Sequence, residues 1–237
     1  KTNKFTPEMF EALQTQIRLM GALKLTPEES LHLYGMGFFK PSYLEYLRNY
    51  RYDHNEVNCE LSPEGDLSIT ISGKWHRTVL WEVKLMAIIS ELYFQYCDTD
   101  WNYDGQIEKI AAKANVLAEN DCVFSDMGTR RRRSFKSQAD VVAYLATSEA
   151  AKSGHFVGTS NVYLAMTNKI KALGTIAHEM FMGVSALMGL QCVNRFTCEA
   201  WTKVYGGDLG TALTDTYGTD AFLKDFDKLQ ARLWDGL

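Results

Sequence analysis

An α/β fold is predicted for this chain, with an α+β segment over residues 1–104 leading into successive βα units over residues 105–237. Three observations predict it. The first hundred residues contain well-started amphipathic helices and one pair of alternating strands, the remainder alternates brief apolar runs with longer helical ones, and each brief run ends in a polar cluster. With 237 residues, 46% hydrophobic and 23% charged, the chain can bury a core large enough for one domain or two.

Helix starts come first. Thr6-Pro7-Glu8, Thr26-Pro27-Glu28-Glu29 and Ser42-x-x-Glu45 each set an N-cap residue before an acidic first turn. Next, Val57, Cys59 and Leu61 alternate with polar residues, Ser62-Pro63-Glu64-Gly65-Asp66 reads as a turn, and Leu67, Ile69 and Ile71 alternate again, which predicts a β-hairpin. Thr78 to Val83 reads as a third strand feeding a long apolar helix that ends near Tyr96. Beyond residue 105 the expected strands are Cys122–Phe124, Phe156–Gly158, Gly174–Ala177 and Leu209–Leu213. The expected helices between them include Gln138–Thr147, Val162–Ile170 and Asp220–Leu229. The pair Gly206-Gly207 reads as a turn.

Each predicted strand runs directly into a polar cluster. The four clusters are Asp126-Met127-Gly128-Thr129 with Arg130 to Arg133, then Thr159-Ser160-Asn161, His178-Glu179, and Thr214-Asp215-Thr216-Tyr217. In βα barrels the C-terminal strand ends converge on one face where active sites are built, so four polar strand ends predict one shared pocket. The net charge of −4 argues against a protein that coats nucleic acid or an anionic membrane. The five cysteines are odd in number, widely spaced and free of CxxC pairs, which predicts reduced thiols in a cytoplasmic protein. Apolar runs such as Val83–Ile89 are far shorter than the roughly 20 residues a membrane span needs. Neither a GxxxxGK[ST] nor a GxGxxG motif is present.

Taken in order, Asp126-x-Gly128-x-Arg130-Arg131, Gly158-Thr159-Ser160-Asn161, Gly174-Thr175-x-Ala177-His178-Glu179 and Ala212-Leu213-Thr214-Asp215-Thr216 resemble the motif series of the nicotinate phosphoribosyltransferase family. Each motif alone is weak; the ordered set is specific. Phe38-Phe39-Lys40-x-x-Tyr43-Leu44 and Leu80-Trp81-Glu82-Val83 resemble the family's N-terminal domain, so the likeness extends over nearly the whole chain. It implies an irregular (β/α) barrel catalytic domain behind an α+β half-sandwich domain, and a homodimer. The implied reaction joins nicotinate to phosphoribosyl pyrophosphate, with ATP as cosubstrate and magnesium as cofactor. The family's N-terminal aromatic signature and its later ribose and phosphate motifs are not among these residues, so a piece of a longer chain is expected. Met127 stands where some relatives carry a phenylalanine on the pyridine ring.

The resemblance assigns roles, and each has a plainer rival. Arg130 would clamp the nicotinate carboxylate through its planar fork, with Gly128 letting backbone approach the ring and Arg131 beside it. The rivals are a solvated basic turn and a nucleic-acid patch formed by Arg130 to Arg133, with Arg132 and Arg133 serving phosphate or the surface. Thr159 and Ser160 would donate hydroxyl bonds to the substrate, or cap a helix. His178 would be phosphorylated by ATP with a carboxylate on its other ring nitrogen, against the alternative of a satisfied structural histidine, the role assigned to His32, His54, His76 and His155. Asp215 would hold His178 or a magnesium-bound pyrophosphate, or make a turn. Asp126 is expected to cap the arginine loop, and no residue is assigned as a metal ligand. Nicotinamide phosphoribosyltransferase is the near rival in function; there an acidic residue takes the place of Ser160, and the hydroxyl here favours the acid substrate. A non-catalytic protein binding nucleic acid or another partner is the distant rival.

Overall fold

The computed structural model describes residues 4–206 and 210–237. The chain is a mixture of helices and strands that divides into two compact units. One comprises residues up to His32 with Ser42–Ala172; the other comprises Leu33–Pro41 with Leu173–Leu237. The division by contacts falls after Ala172, whereas the sequence pattern changes near residue 105.

In the first unit, α1 (Pro7–Met20) begins as predicted, with Thr6 Oγ1 accepting the Met9 N–H and Pro7 at the first helical position. Its buried residues Met9, Leu13, Ile17 and Met20 recur at helical spacing on one face. They form a core with Trp81, Leu85 and Leu92, the last two from α5 (Glu82–Tyr96). The helix α2 (Pro27–Gly35) opens on a reciprocal box, Glu29 N–H to Thr26 Oγ1 and Thr26 N–H to Glu29 Oε2. By contrast α3 (Pro41–Asn49) already includes Ser42, which therefore lies inside the helix and is no cap.

The hairpin is where the alternation put it: β1 (Val57–Leu61) pairs antiparallel with β2 (Leu67–Ile71), Val57 opposite Ile71 and Leu61 opposite Leu67. Val57, Cys59, Leu67, Ile69 and Ile71 turn inward onto the α1–α5 core. The turn needs Gly65: its φ is +81°, and a Cβ there would sit 2.7 Å from the Lys4 Cβ. The expected strand over 78–83 is absent. Its place is taken by α4 (Trp75–Thr78) and the start of α5, because Trp81 and Leu85 fall one helical turn apart against α1 and Trp81 is completely buried, its indole N–H donating to Glu56 at 2.9 Å.

After α6 (Gln106–Glu119) comes β3 (Phe124–Asp126), two residues later than the apolar run suggested. A single 3-10 turn (Thr129–Arg131) leads to α7 (Phe135–Thr147) and α8 (Glu149–Lys152), the crossover that lets β4 (Phe156–Thr159) pair parallel with β3. Thr159 then forms a parallel bridge to Ala172 beyond α9 (Val162–Asn168), which stops on Lys169 in the left-handed conformation.

In the second unit the expected strand over 174–177 shrinks to one bridge. Thr175 pairs with Thr211, and Thr211 with Gly236, all parallel; Leu209 and Gly207 lie outside the described residues. Around these bridges pack α10 (His178–Met188), α11 (Val193–Tyr205), α12 (Thr219–Asp225) and α13 (Gln230–Leu233), with Ile176, Phe181, Cys198, Ala212, Phe222 and Trp234 as core. The helix expected over 220–229 breaks in two because Asp227 Oδ1 accepts the N–H groups of Leu229 and Gln230, starting a new turn. Among the described residues no helix is long and apolar enough to cross a membrane.

Candidate active site

The polar strand ends fall two in each unit. In the first, Asp126 at the end of β3 gathers three donors: Thr159 Oγ1 at 2.7 Å and Gln138 Nε2 at 2.9 Å on Oδ2, and the Gly128 N–H at 3.1 Å on Oδ1. Its carbonyl accepts the Ser160 N–H at 2.8 Å. The carboxylate therefore does more than cap the arginine loop: it also fastens the end of β4 to it.

These bonds give two residues other roles than those expected. The Thr159 hydroxyl is completely buried, donates to Asp126 and accepts the Asn161 N–H at 3.0 Å, so it is committed within the protein rather than presented to a ligand. Gly128 has φ −82°, and a Cβ on it would lie 3.0 Å from Asp126 Oδ1, so its close approach is to Asp126 and a side chain there would press on that carboxylate. Of the two roles open to Ser160, capping falls to its neighbour: Asn161 Oδ1 accepts the Leu164 N–H at the head of α9. Among the described residues the Ser160 hydroxyl has no hydrogen-bond partner, and it stays available.

The four arginines do not behave as one patch. Arg130 points outward and its Nη1 meets Glu82 Oε1 at 2.7 Å, both side chains about half exposed. Arg131 is exposed and has no ionic partner among the described residues. Arg132 and Arg133 are neither phosphate donors in waiting nor free surface. Arg132 pairs with Glu91 at 2.8 Å, and Arg133 is bonded to Asp98 while stacked between the Phe94 and Trp101 rings, 4.4 Å from each centroid.

In the second unit, His178 is the first residue of α10 and Asp215 lies in the loop after Ala212. Nε2 of His178 and Oδ1 of Asp215 are 2.8 Å apart. That hydrogen bond holds the Asp215 carboxyl below the usual aspartate range. An ionised carboxylate only accepts, so Nε2 is the donor in this bond, and Nδ1 has no hydrogen-bond partner among the described residues. The loop is tied to α10 by Ser185 Oγ and Tyr217 OH at 2.6 Å, and to its own exit by Thr214 and Thr219.

Sequence reasoning missed Gln138. A signal was there: Gln138, Val142 and Leu145 are the buried residues of α7, and one amide in an apolar stripe asks for buried polar partners. His155, left to a structural role, has one: its ring nitrogens meet Ser153 and Asp121. Two clefts, about 400 Å³ beside Trp101 and Asp104 and about 340 Å³ beside Phe156 and Lys171, contain none of Arg130, Ser160, His178 or Asp215.

Fold and side-chain arrangement together define an α/β protein with polar clusters at the ends of its parallel strands. Residues 122–237 match the model of the nicotinate phosphoribosyltransferase (NAPRTase) family and residues 1–90 that of its N-terminal domain. The nicotinate phosphoribosyltransferase of Methanosarcina acetivorans is 43% identical over 99% of this chain and 61% of its own length; a probable one from Schizosaccharomyces pombe is 39% identical over 92% and 55%. A crystal structure of nicotinate phosphoribosyltransferase from Porphyromonas gingivalis superposes with a TM-score of 0.90 at 35% identity, covering 98% of this chain and 59% of that one. The chain belongs to the nicotinate phosphoribosyltransferase family. It spans about three fifths of the length of these relatives.

Proposed function

We propose that this chain carries the base-binding and ATP-coupling elements of a nicotinate phosphoribosyltransferase, which joins nicotinate to phosphoribosyl pyrophosphate to give nicotinate mononucleotide and pyrophosphate in NAD salvage. The reading includes an irregular (β/α) barrel over 105–237 behind a half-sandwich domain over 1–104, in a cytoplasmic homodimer. The observation that carries it is the His178–Asp215 pair at the head of α10.

Nδ1 of His178 attacks the γ-phosphorus of ATP; an N–P bond forms, the bridging P–O bond breaks, and ADP leaves with the electron pair. Asp215 keeps the Nε2 proton and stabilises the positive charge that develops on the ring. The phosphorylated histidine then links ATP hydrolysis to substrate binding and product yield, as the family resemblance implies. In the first unit, Arg130 exchanges Glu82 for the nicotinate carboxylate, whose two oxygens match the guanidinium fork, and Ser160 offers its unused hydroxyl. Arg131, which has no ionic partner among the described residues, is the cation of the run offered to a phosphate. Among the described residues no group of three or more His, Cys, Asp or Glu is gathered for a metal ion, and magnesium beside substrate phosphates needs only one or two carboxylates. Magnesium in this reading arrives on the phosphates of ATP and phosphoribosyl pyrophosphate.

The test is intact-protein mass of the full-length chain after incubation with ATP and magnesium, together with nicotinate mononucleotide formation. A gain of one phosphate that is absent from His178→Ala is expected. A folded, unchanged protein that gains no phosphate removes His178 as the nucleophile.

A further inference from the structure

We infer that Gln138 is a positioning residue for nicotinate: its buried amide sets the spacing between the arginine loop and Ser160. The inference rests on the proposed nicotinate activity and concerns residues that touch no substrate themselves.

Gln138 lies in the first turn of α7, and only 5% of its surface is exposed. Its amide faces four polar atoms, Thr129 Oγ1 being shared between its two ends. Nε2 donates to Asp126 Oδ2 and to Thr129 Oγ1, both at 2.9 Å. Oε1 faces Arg132 Nη1 at 3.4 Å, Asn161 Nδ2 at 3.5 Å and the Thr129 hydroxyl at 3.3 Å. The orientation is forced by chemistry. Asp126 can only accept, whereas the guanidinium of Arg132 and the Asn161 amide nitrogen can only donate, so an inverted amide would oppose acceptor to acceptor and donor to donor. One side chain thus reads the end of β3, both flanks of Arg130 and the residue after Ser160.

Neither an apolar nor an acidic side chain of similar size satisfies these partners. Leucine fills similar volume but leaves Asp126 short of a donor and Asn161 and Arg132 short of an acceptor. Glutamate keeps the acceptor but sets a second carboxylate against Asp126. A buried network satisfied throughout holds one geometry, and a half-satisfied one relaxes into several. Arg130 and Ser160 carry the proposed base contacts and hang on that network at residues 129 and 161, so its loosening is felt as misplacement of the two groups that grip nicotinate.

The experiment is steady-state kinetics on the full-length chain, with thermal melts to verify folding. Gln138→Leu is expected to raise KM for nicotinate about tenfold or more while kcat changes less than about threefold, since small displacements of positioning groups are amplified in affinity. Gln138→Glu is expected to be worse, and Gln138→Glu combined with Asp126→Asn to recover at least about half of that loss, because the exchange restores a donor opposite an acceptor. Phosphorylation of His178 by ATP should be unchanged in every variant. A folded Gln138→Leu with unaltered KM overturns the inference; so does a paired exchange no better than Gln138→Glu, which decides the matter if Gln138→Leu does not fold. If the unaltered enzyme forms no nicotinate mononucleotide, the parent reading fails and this one with it.

Discussion

Three residues bear on the proposed chemistry singly. Asp215 is held in its ionised form by the hydrogen bond from His178. A carboxyl with a depressed folded value contributes stability above the ordinary aspartate value of 3.8 and loses it as pH falls through the lower, folded value. Both side chains are substantially exposed, so the contribution to stability is small and the consequence is chemical. Carboxyl titration by NMR should find the Asp215 midpoint below 3.8, and His178→Ala should move it up toward that ordinary value, the backbone hydrogen bond still holding it down. Asp215→Asn should slow phosphorylation of His178 by roughly a hundredfold, the scale of losing one preorganised partner of a developing charge; an unchanged rate would show that Nε2 needs no carboxylate. Arg130→Lys should raise KM for nicotinate by about tenfold, since a point charge cannot make two parallel bonds to a carboxylate. Equal KM values would remove Arg130 from the clamp.

At the scale of elements, what was legible in the sequence was what depends on near neighbours. Thr6 and the Thr26–Glu29 box cap their helices as read, and the hairpin register follows from the period-2 pattern of Val57, Cys59, Ile69 and Ile71. Where long-range packing decides, the reading failed. Residues 78–83 look like a strand by composition but turn helical to seat Trp81 against α1 and Glu56. Residues 174–177 look like a full strand, yet among the described residues they hold to a neighbour through the Thr175–Thr211 bridge and the Ile176 N–H on the Thr211 carbonyl. Trp81→Ala should cost about 3–5 kcal/mol, the range for emptying a buried aromatic site, visible as a lower midpoint in denaturant unfolding. A loss under about 1 kcal/mol, the size of an ordinary surface change, would mean that the α1–α5 core closes without the indole.

For the molecule as a whole, the arginine run decides between a small-molecule enzyme and a nucleic-acid binder. The ordered motifs were legible because each comes directly after an apolar run. The partition of the arginines was not, because Glu91, Asp98, Phe94 and Trp101 stand far from them in sequence. A basic patch works through solvated cations free to displace counterions from phosphates. Here Arg132 and Arg133 are spent on α5 and the segment after it: the Arg132 carbonyl accepts from Ser90, and the Arg133 guanidinium is enclosed by two rings and Asp98. On a chain of net charge −4, two remaining outward arginines are a poor phosphate surface. Arg133→Ala should therefore register as stability. It should cost about 1–3 kcal/mol, the range for breaking a half-buried ion pair with its packing, with no change in retention on single-stranded RNA at low salt. Were the variant equally stable and RNA retention lost with a shallower salt slope, Arg133 would be a phosphate contact and the nucleic-acid reading would take precedence.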